Sequence, residues 1–367
     1  MTPLVVLPRI PAAQDHLRRE PLRPTARRFM HATASEAAAF SGFIDLASAR
    51  LGGRALLAND EFFAEKENLL KPERAVFLPD EYTERGKWMD GWETRRRRTP
   101  GHDWCIVRLG LPGTLRGFDV DTANFLGNNP AYASVDAIDA PFDAIPESLP
   151  GADAWREILQ RSPLKPGSQN LFAAVDALRA THLRLNIYPD GGVARFRAYG
   201  RVLPDWSHAS KGPVDLASVE SGGLVVAASD MFFGTKESLI LPGRSTHMGD
   251  GWETRRRRGP GFDWAVVSLG APGRIRRVVV ETTHFKGNYP DSCVIEACHA
   301  PEVDVDSLNA GVLPWQEVLP QTKLSADSDH VFERELRDIG PATHVKLNIY
   351  PDGGVARLRV WGAPEPV

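Results

Sequence analysis

The sequence predicts an all-β protein made of two tandem antiparallel sandwiches that arose by internal duplication. Three long segments occur twice in the same order. In most of them apolar and polar residues alternate with a period of two, as in half-buried strands, and few stretches show a helical pattern. Many short strands with little helix are typical of a sandwich. The length of 367 residues also exceeds that of one ordinary domain and agrees with two units.

The duplication is visible in three pairs of segments. "FIDLASARLGG" returns as "PVDLASVESGG", "GWETRRRRTPGHDW" as "GWETRRRRGPGFDW", and "THLRLNIYPDGGVAR" as "THVKLNIYPDGGVAR". The separation falls from 170 to 160 residues between the first pair and the second, so the first copy carries a longer loop around "KPERAVFLPDEYTERGK". We therefore divide the chain into an N-terminal extension (1–38), a first repeat (39–202), a linker (203–212) and a second repeat (213–367).

Local patterns predict individual elements within each repeat. In "HLRLNIY" the apolar residues Leu183, Leu185 and Ile187 alternate with polar ones, "PDGG" supplies turn residues, and "VARFRAY" alternates again. This pattern predicts a β-hairpin with one apolar face. "AWREIL" and "PWQEVL" are the best short helical candidates. Asp190 and Asp352 are expected to form the turns.

Composition narrows the class of protein. The net charge of −3 argues against nucleic-acid binding, which favours a basic surplus. Apolar stretches such as "GLVVAA" are strand-sized and too short to span a bilayer, and the first residues do not read as a signal peptide. Three cysteines do not make an even disulfide framework, and Cys105 reads as a small buried residue. We expect a cytoplasmic protein without membrane or nucleic-acid partners.

The run "DGWETRRRR" is the most conspicuous repeated motif, at 90–98 and 250–258. Burying several arginines in a sandwich core would cost several kcal/mol each unless they were paired. The tryptophan is therefore expected to anchor a strand, with the arginines near the rim of the sandwich. Three interpretations remain open: charges that blunt an edge strand, an ion network between domains or subunits, and a direct role in catalysis.

Further arginines alternate along "VARFRAY" and "VARLRVW", and share one face of each strand. Pairs of arginines suit bidentate recognition of a carboxylate, and equally form a solvent-facing ladder. His182 and His344 are preserved between the copies at the start of a strand, either as strand-end residues or as ligands or bases.

The copies differ in one informative loop. The first has "TANFLGNNPAYA" and the second "TTHFKGNYPDSC", which places His284, Lys286 and Asp291 where the first has Asn124, Leu126 and Ala131. Histidine titrates near neutral pH, and a nearby cation and carboxylate complete a set suited to acid–base chemistry. Ordinary loop chemistry is the alternative interpretation.

The duplicated "DGWETRRRR" and "LNIYPDGGVAR", with "HFKGNYPDSC" in the second copy, resemble the allantoicase family over roughly residues 35 to 365. The resemblance implies two tandem jelly-roll sandwiches akin to galactose-binding-like domains, a homo-oligomer, and hydrolysis of allantoate to ureidoglycolate and urea in purine degradation. The N-terminal extension lies outside the familiar pattern. The loop of the first copy departs from the charged loop of the second. This leaves open whether the first copy has a working site of its own.

For this reaction the sequence suggests catalytic and substrate-binding residues in the second repeat, because the leaving ureido nitrogen needs a proton and the carboxylate needs a cation. We expect catalysis by His284, Glu253 and Asp291, and substrate binding by Arg255, Lys286, Asn288 and Arg357, with Glu93, Arg95, Arg195 and His344 as secondary candidates. A divalent metal held by His284, Asp291 and Glu253 is an option that no standard ligand spacing supports. The rival function is a non-catalytic carbohydrate-binding or small-molecule-binding double sandwich.

Overall fold

The structure is a computed structural model that describes residues 40, 42–204, 206, 212–301 and 313–365. The proposed N-terminal extension (1–38) and most of the linker (203–212) lie outside these residues. Both repeats belong to one compact unit, His31–Val367. Among the described residues, no helix has the length and apolar character needed to cross a membrane.

Strands dominate both repeats, and short 3₁₀ turns of three to five residues connect some of them. The strands of the first repeat are β1 (Ile44–Asp45), β2 (Arg54–Ala58), β3 (Tyr82–Thr83), β4 (Gly86–Lys87), β5 (Trp92–Glu93), β6 (Asp103–Asp121), β7 (Tyr132–Ile138), β8 (Arg156–Pro163), β9 (Leu171–Ala173), β10 (Arg179–Tyr188), β11 (Gly192–Val193) and β12 (Arg195–Val202). Those of the second repeat are β13 (Val214–Asp215), β14 (Leu224–Ala228), β15 (Trp252–Glu253), β16 (Asp263–Glu281), β17 (Ser292–Cys298), β18 (Gln316–Lys323), β19 (Asp329–Phe332), β20 (Pro341–Tyr350), β21 (Gly354–Val355) and β22 (Arg357–Pro364). The 3₁₀ turns are Ala49–Leu51, Lys66–Leu70, Pro146–Ser148, Ala152–Ala154, Val219–Ser221, Lys236–Ile240 and Met248–Asp250.

One long strand in each repeat joins the two sheets of the sandwich. The first half of β6 pairs with β2 and β10, and its second half pairs with β12 and β9. The change falls at the segment "GLPG" (110–113), where Pro112 has no N–H to donate and Gly113 lies so close to the backbone of Arg201 that a Cβ would be 2.5 Å from its carbonyl oxygen. β16 repeats this arrangement with β14, β20, β22 and β19. The prediction of two tandem β-sandwiches is confirmed.

Alternating residues of these strands form the core. Leu183, Leu185 and Ile187 of β10 are completely buried, as are Phe196 and Ala198 of β12. The buried apolar side chains of both repeats belong to one connected cluster, so the repeats share a continuous interior. Cys105 is buried as expected, and all three cysteines are free thiols.

Two local predictions were wrong. The predicted hairpin does not form, because β10 and β12 each pair with β6, which lies between them. The "PDGG" segment instead leads into β11, which pairs with β5. The two helical candidates are the strands β8 and β18, which pair with β7 and β17. In both cases pairing with strands distant in sequence overrides the local pattern.

The longer loop of the first repeat contains an extra hairpin. β3 and β4 pair with each other and are exposed to solvent. Gly86 of β4 approaches the ring of Phe63, and Arg85 donates a hydrogen bond of 3.0 Å to the carbonyl of Phe62. This hairpin, which has no equivalent between β14 and β15, therefore covers part of the first repeat.

Candidate active site

The repeated motif begins with a two-residue strand whose backbone is fixed on both sides. Trp252 of β15 is completely buried, and its indole N–H donates to the carbonyl of Asp230 at 2.8 Å. Glu253 forms backbone hydrogen bonds with Gly234, and Thr254 exchanges bonds with Gly353. The prediction that tryptophan anchors a short strand is confirmed, and the arginines that follow lie at the rim, as expected.

The arginine run is held by the "YPDGG" segment. A carboxylate oxygen of Asp352 accepts a hydrogen bond of 2.7 Å from the backbone N–H of Arg257, whose guanidinium donates to Asp263 at 2.5 Å. Asp352 therefore braces the run. Gly353 has φ of +138°, and a Cβ there would be 2.7 Å from the carbonyl oxygen of Asn288. Glycine lets the turn approach the neighbouring loop.

That neighbouring loop completes a polar contact at the centre of the site. The side-chain amide of Asn288 donates to Oε1 of Glu253 at 2.5 Å. The backbone of the same loop is fixed by a hydrogen bond of 2.8 Å from Gly354 N–H to the carbonyl of Asn288. Below it, the buried ring of Phe285 packs against Gly251 and Gly354. The loop and the strand β15 are thus positioned by the same small set of contacts.

A cleft of about 460 Å³ opens beside this contact. Its walls include Glu253, Arg256, Asn288, Tyr289 and Asp291. Arg256 is exposed, and no described residue forms an ion pair with it. The cleft therefore combines a carboxylate, an amide and an arginine whose charge is unpaired among the residues described.

Asp291 is held at the edge of the cleft by a cation. Its carboxylate forms an ion pair of 2.6 Å with Lys323, and this hydrogen bond lowers the pKa of Asp291 below its ordinary value. Asp291 is therefore ionised at neutral pH, which suits it to accept a hydrogen bond from a substrate N–H and does not suit it to donate a proton.

Three other predicted residues lie outside the walls of the cleft. The guanidinium of Arg255 lies 4.3 Å from the ring centre of Phe232, beside Asp230. Nε2 of His284 lies 3.0 Å from the carbonyl oxygen of Ser245. The side chain of Lys286 is exposed on the loop that carries Asn288. The structure thus brings together Glu253, Asn288 and Asp291, and separates them from Arg255, His284 and Lys286.

The role expected for Arg357 needs correction. This arginine is only 1% exposed, and its N–H groups donate to the carbonyls of Asp250, Ala356 and Gly243 and to both carboxylate oxygens of Asp250 at 3.1 Å. No N–H group is left for a substrate carboxylate. Arg195 forms the matching clamp with Asp90 at 2.7 Å in the first repeat. We therefore assign both arginines to folding, where buried charges are stabilised by complete pairing.

The remaining secondary candidates are distributed differently. Glu93 accepts a hydrogen bond of 2.6 Å from Asn128, which matches the contact between Glu253 and Asn288. Arg95 forms an ion pair of 2.6 Å with Asp60. His344 is buried with Nδ1 3.0 Å from the hydroxyl of Thr343, and burial lowers its pKa, so the imidazole is neutral. Neither Arg95 nor His344 is arranged for substrate binding.

The described residues contain no group of three or more His, Cys, Asp or Glu side chains arranged to hold a metal ion. His284, Glu253 and Asp291 therefore do not form the cluster that the sequence suggested for a metal.

Arg256 is the residue of the cleft that sequence analysis missed. Arg255 looked more suitable because it follows Glu253 by two positions and would share its face in a continuous strand. The strand ends at Glu253, however, and the backbone N–H of Arg255 turns to Asp230 at 2.7 Å. The sequence did contain an indication that Arg255 has another partner. Both copies keep an aspartate, Asp60 and Asp230, that can pair with the first arginine of the run.

These features define a duplicated double β-sandwich with a charged, amide-bearing cleft at the end of a sandwich. Residues 44–203 and 214–365 each match the model of the allantoicase repeat. The chain belongs to the allantoicase family.

Relatives and a solved structure agree over most of the chain. A probable allantoicase of Burkholderia mallei is 52% identical over 87% of this chain and 94% of that protein. A probable allantoicase of Photobacterium profundum is 49% identical over 88% of this chain and 97% of that protein. The crystal structure of allantoicase from Saccharomyces cerevisiae is similar with a TM-score of 0.76 and 35% identity, over 90% of this chain and 99% of that one.

Proposed function

We propose that the protein hydrolyses allantoate to ureidoglycolate and urea in purine degradation, and that the cleft beside Glu253 and Asn288 is an active site. Family membership supports the activity. The observation that carries the location is the 2.5 Å hydrogen bond from Asn288 to Glu253, next to Arg256. Together these groups match a substrate with one carboxylate and two ureido groups.

The substrate determines what the site must supply. Allantoate carries two ureido groups and a carboxylate on one carbon, and one C–N bond must break. The nitrogen that leaves as urea gains a proton, and the lone pair of the retained ureido nitrogen forms a C=N bond. Water then adds to the carbon of that bond. The protein needs a cation for the carboxylate, hydrogen-bonding groups for the ureas, and a group that moves protons.

In this proposal Arg256 binds the carboxylate, since a guanidinium offers two parallel N–H groups to it. The amide of Asn288 is complementary to a ureido group, which has the same carbonyl and N–H functions. The ionised carboxylate of Asp291 accepts from a further N–H. These contacts fix the scissile C–N bond beside Glu253.

Glu253 moves the protons in this proposal. Its carboxylate removes the N–H proton of the retained ureido group and delivers it to the leaving nitrogen, which gives urea and the C=N intermediate. It then takes a proton from water as the oxygen attacks carbon, and returns that proton to the nitrogen of the C=N bond. The carboxylate is regenerated, and the sum of the two steps is allantoate plus water to ureidoglycolate plus urea.

A urea-release assay tests the activity and the role of Glu253. We expect the purified protein to release urea from allantoate. We expect Glu253→Gln to lower turnover at this cleft by roughly 10²- to 10⁴-fold, the usual contribution of general acid–base catalysis. The control is Glu333→Gln, which removes a carboxylate from an exposed pair with Arg277.

Binding of allantoate without any urea release by the unmodified protein would instead support the non-catalytic binding module. A different outcome would separate the activity from its location. If the unmodified protein releases urea, and both Glu253→Gln and Asn288→Ala retain full turnover, the protein has the activity but the proposed location is wrong.

We further propose a homo-oligomer and a cytoplasmic location. Met231, Phe232 and Phe233 form an exposed apolar group, with Phe233 62% exposed, which is more typical of an interface than of a solvated surface. Three free buried thiols agree with a reducing compartment. Light scattering coupled to size-exclusion chromatography gives the oligomeric state, and a single-chain mass would contradict the first proposal.

A further inference from the structure

The first repeat contains the same arrangement as the proposed active site. Asn128 donates to Oε1 of Glu93 at 2.6 Å, where the second repeat has 2.5 Å between Asn288 and Glu253. The loop of Asn128 is fixed by a hydrogen bond of 2.8 Å from Gly192 N–H, equal to that from Gly354 in the second repeat. A glutamate and an asparagine thus meet in the same way in both repeats.

The supports of this contact are also duplicated. The backbone N–H of Arg97 donates to Asp190 at 2.9 Å, and its guanidinium donates to Asp103 at 2.6 Å. Gly191 has φ of +138°, the same value as Gly353, and approaches the carbonyl of Asn128. These contacts leave Arg96 in the position of Arg256, exposed and without an ion-pair partner among the residues described.

The residues around the two sites differ, but the glutamate, the asparagine and the arginine are present in both. The loop of the first repeat has Asn124, Leu126, Asn129 and Ala131 in place of the charged and aromatic residues of the second. Asp291 is the residue of the second cleft whose carboxylate is missing here. The glutamate, the amide and the free arginine, which perform the steps proposed for the second repeat, are all present.

The extra hairpin lies close to the first site. β4 approaches Phe63, the counterpart of the exposed Phe233, and Phe63 is only partly exposed. Glu93 itself is partly buried, and this burial raises its pKa, while the hydrogen bond from Asn128 opposes the rise. A carboxylate with a raised pKa is a better proton carrier near neutral pH than one at its ordinary value.

We infer that the first repeat is a second active site, with Glu93 as proton carrier, Asn128 as the ureido-binding group and Arg96 as the carboxylate-binding group. This inference rests on the proposed function, because it assigns the same ureido-bearing carboxylate and the same two balanced steps. Each chain then has two sites for one reaction.

Paired variants test this inference through steady-state urea release. Glu93→Gln and Glu253→Gln are each expected to retain part of the turnover, the two residual values adding up to that of the unmodified protein, and the double variant to lose at least about 100-fold. The residual activity of Glu253→Gln should fall on acidification at a pH above the ordinary glutamate value of 4.5, because Glu93 carries it. Full turnover in Glu93→Gln, or none in Glu253→Gln, overturns the inference.

Calorimetric titration counts binding sites without requiring turnover. It therefore tests the second site independently of the proposed reaction. The probe is N-carbamoylglycine, which has one ureido group and a carboxylate and cannot lose urea in the same elimination. We expect two sites per chain, and one each in Arg96→Gln and Arg256→Gln, with two kept in the control Arg258→Gln. One site in the unmodified protein that survives Arg96→Gln overturns the inference even if the protein releases urea. Absence of urea release with two titrating sites contradicts the reaction and leaves the duplication of the site intact. Thermal melts of all variants confirm that each is folded.

Discussion

The guanidinium of Arg357 contacts both carboxylate oxygens of Asp250 at 3.1 Å in the interior of the second repeat. Asp250 is the first residue of the repeated motif, and Arg357 follows the "YPDGG" segment. The pair thus joins the two signatures that identify the family. Burial, and then the nearby Arg359, lowers the pKa of Arg357 to about 10, so the guanidinium stays charged at neutral pH.

Breaking this pair should destabilise the fold. Arg357→Gln leaves the Asp250 carboxylate without its main partner, and loss of one member of a buried pair costs about 3–5 kcal/mol. Denaturant unfolding measures the change, and the matched variant Arg195→Gln should behave similarly. A folded Arg357→Gln protein of normal stability that has lost substrate binding would instead support the role that the sequence suggested.

Arg50 should connect the two repeats through the same aspartate. It lies in the first repeat and forms an ion pair with Asp250 of the second, whereas Asp90 receives Lys71 of its own repeat at 3.3 Å. Since Asp250 keeps Arg357, we expect Arg50→Gln to cost only about 1 kcal/mol of unfolding free energy. Lys71 is half-exposed, so Lys71→Gln should cost less. Equal stability of Arg50→Gln and the unmodified protein would mean that this contact contributes nothing.

Arg256 and Arg255 should differ in their effect on catalysis. A hydrogen bond to a charged group contributes about 1.5–3 kcal/mol, so Arg256→Gln should lower kcat/KM at the second-repeat cleft by about 10- to 150-fold. Arg255→Gln should have little effect, because this side chain lies on Phe232. Both are measured in a Glu93→Gln background, so that the cleft of the second repeat is observed alone. The reverse order of effects would return the assignment to Arg255.

His284 should be replaceable by asparagine. Its φ of +70° matches the +69° of Asn124 in the first repeat, and asparagine tolerates this left-handed conformation well. His284→Asn should therefore keep the fold and most of the turnover. His284→Ala should be the less stable of the two, because alanine lacks a polar side chain that lowers the cost of this conformation, which is about 1–2 kcal/mol for an ordinary residue. Complete loss of urea release by a well-folded His284→Asn protein in a Glu93→Gln background would instead support the proton-transfer role that the sequence predicted.

Asp119 should make stability depend on pH. It is 1% exposed, and burial together with the nearby Asp121 raises its pKa from 3.8 to about 7. Between these values the folded protein holds a proton that the unfolded chain has released, so stability falls as pH rises through the window and the penalty is complete above about pH 7.

Asp119→Asn removes this titration. The unfolding free energy of the variant, relative to that of the unmodified protein, should therefore be higher at about pH 8 than at about pH 4.5. Unfolding free energies at the two pH values give the comparison. The second repeat has Val279 at this position, which shows that the fold does not need a carboxylate there. An unchanged difference between variant and unmodified protein at both pH values would contradict the raised pKa.

The duplication, the sandwich class and the family could all be predicted from the amino-acid sequence, because they depend on long repeated motifs and a period of two. The buried positions of Trp92 and Trp252 could also be predicted. Burying the four arginines that follow would be costly, so the tryptophan is the residue of the motif that anchors the strand. The sequence identified Glu253 and Asn288, which lie in separate motifs, but not the contact between them.

Tertiary structure decided the rest, for reasons of pairing that local patterns do not contain. The position of β6 between β10 and β12 replaced the expected hairpin, and the end of β15 at Glu253 turned Arg255 away and left Arg256 at the cleft. Arg357 looked available in the sequence, yet long-range contacts with Asp250 occupy it fully. The charged residues that distinguish the loop "TTHFKGNYPDSC" from "TANFLGNNPAYA" led us to expect catalysis by His284. Both loops nevertheless share a hydrogen bond from asparagine to glutamate, which is supported by glycines and aspartates distant in the chain. A hydrogen bond between distant segments depends on where the whole fold places their backbones, and only the folded chain specifies that.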